Sequence, residues 1–466
     1  MNFVWISLEK FGTIFIKIIG TVIFARILTP SDFGVFSMTI VIVSISSVLV
    51  DAGIVGALIR KPNICDSDYS TAFILNFAIA IFLYLVLFSI SNELEQFYDY
   101  PGLSDVFKVT SLVLLIRSTS LVSIAILNIK EKFKCQANIY LISSASSVII
   151  SIFLAKIGFG YWALVAQLII EALISSVLFN LKVKFIPRLK FDRSSMRYFL
   201  SFGLNLTIAS LIQSIYENLP NIIIGRLYTS KELGYYSQAN KLNFLYVSTT
   251  RTIIDKATFP SLSKKISIKD EFKIKSQSTI GIFGLLSFFI SIILVISSKD
   301  IITILLGKSW EESSSYFSLL VIASCWMINE SISRTVLKSL GLAKLILKLE
   351  LIKRISGIIT LIFLSYISVE LMLTGYIILA IISKLINEAV LLKLKIIELK
   401  YILVKNSIYS AASLISLIIY ESFEKHLEST PITNVFLSIA ICTFVFGIVF
   451  IVDKKNYVTY IKAIKA

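Results

Sequence analysis

The dominant feature of this chain is a series of apolar stretches, each about 20 residues long and separated by short polar segments. About 20 apolar residues in a helix cross the hydrocarbon core of a bilayer. The chain is 56% hydrophobic and only 16% charged, and its mean hydropathy of +0.85 is too high for a soluble domain. The sequence therefore predicts an all-α polytopic membrane protein. About fourteen spans are predicted, near residues 3–28, 33–59, 71–91, 107–128, 139–157, 160–181, 201–225, 239–262, 277–297, 313–337, 350–368, 371–392, 402–420 and 433–452.

Basic residues indicate how these spans are oriented, because Lys and Arg accumulate in cytoplasmic loops. Of the 45 Lys and Arg residues, 29 lie in the segments that follow the even-numbered predicted spans. The segment after the third span, ELEQFYDYPGLSD, contains four carboxylates and no basic residue. This asymmetry predicts that both termini are cytoplasmic. The net charge of +16 then reflects topology and contact with anionic membrane lipids, and nucleic acid is not expected as a partner.

Few side chains suited to catalysis or metal binding are present. His426 is the only histidine and lies in a polar connection, so no Ser/His/Asp arrangement is expected. The triplet GKS at residues 307–309 resembles the end of a phosphate loop, but Ile302 occupies the position of its first glycine. We therefore expect neither an enzyme nor a nucleotide-driven pump, with no cofactor and no metal. The four cysteines are widely separated and are expected to be packing residues: Cys65, Cys135, Cys325 and Cys442.

An internal repeat relates the first two predicted spans to the seventh and eighth. ARILTPSDFGVFS at Ala25–Ser37 aligns with GRLYTSKELGYYS at Gly225–Ser237 at a constant offset of 200 residues. Arginine, threonine, glycine and serine recur in register across a polar connection, which chance similarity between apolar segments does not explain. Six spans per copy is an even number, so both copies would share one orientation about a pseudo-two-fold axis along the membrane normal. The predicted lobes are residues 1–198, with spans 1–6, and residues 199–395, with spans 7–12.

Several motifs, in a fixed order along the chain, resemble one family of membrane proteins. They are ARILTPSDFGVFSM (25–38), GFGYWALVAQ (158–167), FGLNL (202–206), NLPNIIIGRLYTSKELGYYSQANKL (218–242), ATFPSLSK (257–264), LLGKSW (305–310) and LGLAKLILKLELIKR (340–354). Essentially from end to end, the chain resembles the Wzx-type polysaccharide-export flippases of the multidrug/oligosaccharidyl-lipid/polysaccharide exporter superfamily. Within that branch it is most similar to the colanic-acid and teichuronic-acid exporter-like members.

The resemblance implies both an architecture and a substrate class. Two six-helix lobes would surround a central cavity, followed at residues 396–466 by helices 13 and 14 and a cytoplasmic tail. Polyprenyl-diphosphate-linked oligosaccharide would move from the inner to the outer leaflet of a bacterial plasma membrane, for surface polysaccharide biosynthesis and export. Glycan polymerase or export machinery would be the protein partners. Because no nucleotide site is visible, an ion gradient is the expected driving force, and alternating access is the expected mechanism.

Charged side chains at bilayer depth are candidates for substrate binding, because each costs a few kcal/mol or more unless it faces protein or water. In the family, helices 1, 2, 7 and 8 line the cavity. Here these helices hold three cations suited to a diphosphate, Lys17, Arg251 and Lys256. Polar side chains that would bind the sugars are Asn205, Gln213, Tyr216, Asn218, Asn240 and Asn243.

Acids at similar depth are candidates for ion coupling, because a carboxylate in a low-dielectric cavity can take up H⁺ or, when ionised, bind Na⁺. These acids are Asp51, Glu171, Glu217 and Asp255. Arg26 and Arg226 end their helices at the outer face and are gating candidates. Depth in the membrane also makes Arg117 and three charged pairs at i, i+4 spacing functional candidates. For each pair the alternative interpretation is a structural ion pair whose two charges neutralise each other. The pairs are Arg251/Asp255, Glu330/Arg334 and Lys384/Glu388.

Two alternatives to the flippase hypothesis belong to different functional classes. A drug or cation antiporter of the same superfamily would share the fold, but the polysaccharide-type motifs disfavour it. An integral membrane glycan polymerase or ligase would need a large external domain or loop, whereas the longest predicted external connections have only about fifteen residues. The sugar composition, the coupling ion, the surface polymer and the oligomeric state are not encoded in these motifs.

Overall fold

The computed structural model describes residues 2–51, 53–186, 190–266, 268–426 and 430–452. Within these ranges the regular structure is helical. The helices are α1 (Asn2–Ile27), α2 (Pro30–Asp51), α3 (Ile54–Arg60), α4 (Asp66–Ser89), α5 (Ser91–Tyr98), α6 (Leu103–Ser118), α7 (Leu121–Ile129), α8 (Phe133–Lys156), α9 (Trp162–Val183), α10 (Arg193–Leu227), α11 (Ser230–Ser263), α12 (Lys269–Ile296), α13 (Ser298–Leu305), α14 (Ser313–Ser339), α15 (Ala343–Ser365), α16 (Val369–Lys393), α17 (Leu399–Glu424) and α18 (Pro431–Val452).

The long helices follow the predicted spans one for one, which confirms the all-α polytopic fold. Ten helical segments are long and apolar enough to cross a membrane, and α10, bent by 40°, makes an eleventh. The helices α1 and α15 are long enough to cross a membrane, but each contains too many charged residues to count as apolar. The helix α11 is too polar to be recognised by hydropathy, and α14 has the lowest mean hydropathy of the ten, 1.2.

Sequence patterning missed two breaks and several helix starts. The predicted span 33–59 is divided into α2 and α3, and the span 107–128 is divided into α6 and α7. The helix α10 begins at Arg193 instead of residue 201, because Asp192 caps it by accepting hydrogen bonds from the backbone N–H groups of Ser194 and Ser195. An apolar window cannot detect a helical turn made of polar residues.

Helix packing divides the chain into two compact units, Met1–Gly234 and Tyr235–Ala466. In the first unit, α1 packs against α8, α9 packs against α6 and α8, and α2 packs against α6 and α10. In the second unit, α14 packs against α12 and α16, α15 packs against α16, and α17 packs against α12 and α18. The predicted division into lobes at 198/199 stays a prediction.

The repeat found in the sequence is present in the helix boundaries. The helix α1 ends at Ile27 and α10 at Leu227, while α2 begins at Pro30 and α11 at Ser230, so the offset of 200 residues is kept. A further correspondence was not visible in the sequence. An eight-residue helix follows the third predicted span as α5 and the ninth as α13.

The two copies of the repeat meet in the first unit, where the start of α2 crosses the start of α11. A Cβ atom on Gly34 would lie 1.7 Å from the carbonyl oxygen of Ser230, and one on Gly234 would lie 1.9 Å from that of Pro30. These two contacts are equivalent under the offset of 200 residues. Between them, the hydroxyl oxygens of Ser31 and Ser230 are 2.6 Å apart. Only glycine permits so close an approach of two helix backbones.

The N-terminal end of α10 is held in the first unit by a network of ion pairs and hydrogen bonds. The ammonium of Lys61 lies 2.6 Å from the Asp68 carboxylate and donates to the Ser195 hydroxyl at 3.0 Å. The Ser195 hydroxyl lies within hydrogen-bond distance of the carboxylates of both Asp68 and Asp192 and can donate its one hydrogen to either. The backbone N–H of Asp192 donates to the Thr71 hydroxyl at 2.9 Å. This network joins the start of α10 to α4, so α10 is attached to the first unit at both ends.

Candidate functional site

The first unit contains a polar cavity of about 420 Å³ between α1, α6, α7, α8 and α9. Four charged side chains line it, Glu9, Lys17, Arg117 and Glu171, together with the phenol of Tyr140. Hydroxyl groups of threonine and serine contribute further polar surface. A volume of about 300–1,000 Å³ is typical of small-molecule sites. The cavity therefore has both the size and the polarity of a binding site within a helical bundle.

Lys17 and Glu171 form an ion pair across this cavity. The Lys17 ammonium lies 2.8 Å from Glu171 Oε1, and both side chains are partly exposed. From the sequence, Lys17 was predicted to bind the substrate diphosphate and Glu171 to bind the coupling ion. The structure places these two side chains in direct contact. An event that moves one of them will therefore change the electrostatic surroundings of the other.

Arg117 and Glu9 line the same cavity, but neither forms an ion pair among the described residues. Arg117 lies in the last turn of α6, and the hydroxyl and N–H groups of Ser120 bind its carbonyl oxygen where α6 gives way to α7. The helix break places the guanidinium on the cavity wall. A guanidinium can bind two phosphate oxygens at once, so Arg117 is suited to an anionic ligand.

A second group of charges lies inside the second unit, where α14, α15 and α16 meet. The Lys353 ammonium lies 2.8 Å from Glu330, 3.0 Å from Glu350 and 3.1 Å from the amide oxygen of Asn387. Asn387 also donates to Glu330 at 2.6 Å. Arg334 lies 3.7 Å from Glu330, as the i, i+4 spacing predicted, and 3.3 Å from Glu350. Sequence reasoning missed Lys353 and Asn387, although Lys353 is three residues from Glu350 on the same helix.

The predicted pair Lys384/Glu388 is also confirmed, with a separation of 3.3 Å. It lies deep in the second unit, because the side chains are only 1% and 2% exposed. The Lys384 ammonium donates to the amide oxygen of Asn406 on α17 at 2.5 Å and lies 5.1 Å from the centre of the Trp326 ring. Three different elements therefore surround this ammonium.

The remaining predicted cations and acids are dispersed over α2, α10 and α11. Arg251, Asp255 and Lys256 lie on the part of α11 that belongs to the second unit, and Asp255 accepts a hydrogen bond from Thr335 at 3.1 Å. Asp51 is exposed at the end of α2. Lys17 lies in the first unit, so the three predicted diphosphate cations are divided between the two units.

The predicted sugar-binding and gating residues range from exposed to buried. Exposed or partly exposed side chains on α10 include Gln213, which donates to Glu217, and Asn218, which donates to its own helix. Asn243 is buried in α11, and its amide oxygen has no hydrogen-bond partner among the described residues. Two further predicted sugar-binding residues are Tyr216, partly buried on α10, and Asn240, partly buried on α11; the side chain of Asn205 lies outside the described part of the chain.

The gating candidates Arg26 and Arg226 are exposed at the ends of α1 and α10, and Arg226 lies 5.6 Å from the centre of the Phe97 ring.

The functional roles given to all these side chains stay predictions. In the described ranges, no three or more His, Cys, Asp and Glu side chains are arranged to hold a metal ion. The expectation that the protein needs no metal or cofactor is not tested by that finding.

Comparison with known proteins identifies the family. Residues 23–315 match the family described as "Polysaccharide biosynthesis protein", which is more than half of the chain. The chain belongs to this family. That assignment confirms the resemblance to polysaccharide-export flippases carried by the sequence motifs.

Relatives within the polysaccharide biosynthesis family include three bacterial proteins. The chain is 25% identical over 263 residues to the succinoglycan biosynthesis transport protein ExoT of Rhizobium meliloti (strain 1021), covering 56% of this chain and 53% of that protein. It is 21% identical to the lipopolysaccharide biosynthesis protein WzxC of Escherichia coli (strain K12), covering 68% and 65%. It is 23% identical to the teichuronic acid biosynthesis protein TuaB of Bacillus subtilis (strain 168), covering 73% and 71%. The match thus spans from about half to about seven tenths of the length of these relatives.

Solved structures show which fold this family member adopts. The chain is similar to a structure of "Lipid II flippase MurJ, inward closed conformation", with a TM-score of 0.75 and 14% identity over 96% of this chain and 99% of that one. It is also similar to an inward-facing multidrug resistance MATE family transporter, with a TM-score of 0.61 and 13% identity over 85% and 99%. At such low identity the likeness establishes the fold alone.

Proposed function

We propose that this protein is a flippase that moves polyprenyl-diphosphate-linked oligosaccharide from the inner to the outer leaflet of a bacterial plasma membrane. Both termini would be cytoplasmic, and an ion gradient would drive alternating access. Membership of the polysaccharide biosynthesis family supports the pathway, and the names of relatives such as "Succinoglycan biosynthesis transport protein" support transport as the activity. The fold shared with a lipid II flippase supports a substrate with a lipid anchor.

The observation that carries this proposal is the cavity of the first unit with its two cations. A diphosphate is the one fixed charge of a polyprenyl-diphosphate-linked substrate, whatever sugars follow it. Arg117, which has no ion-pair partner among the described residues, would bind phosphate oxygens with its guanidinium. Lys17 would exchange the Glu171 carboxylate for a second phosphate oxygen, since both groups line the same cavity.

This exchange would link the substrate to an ion. When Lys17 turns to the diphosphate, Glu171 loses its counter-charge in a cavity that also contains the Glu9 carboxylate. A carboxylate that loses its cation and faces a second acid is the group most readily neutralised by a proton. Substrate binding and proton uptake would then occur in the same cavity.

Reconstitution with a defined lipid-linked oligosaccharide tests the flippase function. A charge-assisted hydrogen bond contributes about 1.5–3 kcal/mol, so Arg117→Gln should weaken substrate binding by about ten- to a hundredfold. The matched control is Lys156→Gln, which removes an exposed cation from the last turn of α8. Vesicles in which the wild-type protein moves a cationic drug but no lipid-linked oligosaccharide would contradict the proposal and favour the antiporter alternative.

In cells, a deletion strain without a paralogue should lose a surface glycan and accumulate its lipid-linked precursor in the inner leaflet. Normal glycan in that strain would refute the assignment. Accumulation of complete, translocated precursor in the outer leaflet would instead favour a polymerase or ligase.

A further inference from the structure

The second unit contains two buried acids whose surroundings differ sharply. Glu330 accepts hydrogen bonds from Lys353 at 2.8 Å and from Asn387 at 2.6 Å, and Arg334 lies nearby at 3.7 Å. Glu388 is only 2% exposed, and neither of its oxygens accepts a hydrogen bond among the described residues. Hydrogen bonds to a carboxylate stabilise its ionised form. The Glu330 carboxylate therefore has three polar partners, two of which donate hydrogen bonds, whereas the Glu388 carboxylate is buried with fewer contacts.

Charge attraction from Lys384, 3.3 Å away, offsets part of the cost of burying Glu388 as an anion, and Asn406 lies beside the same carboxylate. That ammonium does not depend on Glu388, because it donates to Asn406 at 2.5 Å and faces the Trp326 ring at 5.1 Å. Glu388 can therefore be neutralised without leaving a buried ammonium unsolvated. In a simple structural ion pair, loss of one charge would leave the other uncompensated.

A second polar network begins at the neighbouring residue of α16 and extends toward the surface of the second unit. Asn387, adjacent to Glu388 on α16, contacts both Glu330 and Lys353. Exposure of the side chains rises from 2% at Glu388 to 8% at Glu330, 9% at Lys353 and 22% at Glu350. Other ionisable groups on the surrounding helices include Cys325 and Arg334 of α14 and Lys405 and Tyr409 of α17.

We propose that Glu388 is the proton-binding carboxyl of the second unit. The proposal rests on the proposed flippase function, in which an ion gradient drives transport. A proton from water on one side of the membrane forms an O–H bond on Glu388, and this bond breaks to release the proton on the other side. No other bond changes. Glu388 would thus act together with the cavity of the first unit, where substrate charge is bound.

Infrared difference spectroscopy of the full-length protein in vesicles tests the site without any transport. Acidification should produce the C=O stretch of a protonated, buried carboxyl, which is absent from Glu388→Gln. The matched control Glu370→Gln makes the same change at the exposed start of α16 and should retain the band. Glu330→Gln should also retain it, because the proposed proton binds to Glu388. A band that disappears in Glu330→Gln, or that survives in Glu388→Gln, overturns the proposal.

Translocation of a defined lipid-linked oligosaccharide in the same vesicles tests the coupling. In wild-type protein and in Glu370→Gln, a pH gradient should accelerate translocation relative to vesicles without a gradient, whereas in Glu388→Gln this ratio should fall to unity. Acceleration by a sodium gradient alone, or undiminished acceleration by protons in Glu388→Gln, refutes the coupling role. If the wild-type protein moves no lipid-linked substrate, the flippase function fails, and the infrared result still decides whether Glu388 binds a proton.

Discussion

The crossing of α2 and α11 makes a sharp prediction for Gly34→Ala. A Cβ atom at this position would lie 1.7 Å from the carbonyl oxygen of Ser230, whereas ordinary contact begins at 3.4 Å. The start of α11 must therefore move by about 1.7 Å, because the clash involves backbone and no side chain can rotate away. Overpacking of this kind costs about 1–3 kcal/mol. We expect Gly34→Ala to lower the thermal unfolding midpoint in detergent.

A cross-link measures the displacement directly. The hydroxyl oxygens of Ser31 and Ser230 are 2.6 Å apart, so cysteines at these positions should form a disulfide readily. Bridged Cβ atoms span only about 3.5–4.5 Å, so a shift of about 1.7 Å should slow oxidation markedly. The experiment needs a background in which the exposed Cys65 and the partly exposed Cys135 are serines.

Gly447→Ala is the matched control, because a Cβ atom there meets nothing within 4 Å on α18. It should not lower the midpoint, because Ala in a helix interior is more stable than Gly by about 0.5–1 kcal/mol, and it should leave the rate of cross-linking unchanged. If Gly34→Ala behaves like this control in both assays, the close approach of the two backbones is wrong.

Two other predictions concern stability. Lys353→Met should lower the free energy of unfolding by about 1–3 kcal/mol, because Glu330 and Glu350 lose the cation that they share and keep only Arg334. Additional Glu330→Gln should recover part of that loss in a double-mutant cycle, and additive effects would argue against direct coupling. Asp192→Ala should lower the unfolding midpoint at neutral pH. Hydrogen bonds from Ser194 and Ser195 hold the pKa of Asp192 below its usual range, so its contribution is complete above about pH 4 and is lost as the pH falls further. The difference in midpoint between wild type and Asp192→Ala should therefore shrink on acidification, and a difference that grows would refute this explanation.

The sequence predicted the helices well because membrane spans are defined by a strong, local signal. Each long helix of the structure corresponds to one predicted span, in the same order. Helical turns made of polar residues carry no such signal, so α10 and α11 begin before the spans that were predicted for them. The short helices α5 and α13 were missed for the same reason, since eight residues are too few to form a window.

Candidate charges could be selected from the sequence, but their partners could not. Depth along a helix identified Lys17, Glu171 and Arg117 without showing that one cavity contains all three. The spacing i, i+4 correctly predicted Lys384 with Glu388, because both lie on one helix. Contacts between helices depend on packing, which a single sequence does not display.

The reciprocal glycine contacts have a consequence for how such a chain can change over time. Each copy of the repeat has a glycine, Gly34 or Gly234, at the contact, and the absence of a Cβ atom there leaves room for the backbone of the other copy. A bulkier residue in one copy cannot be compensated within that copy, since the obstacle lies some 200 residues away. A change at either glycine therefore requires a compensating change in the other copy. The two helix starts must vary together, even where the rest of the two copies diverges.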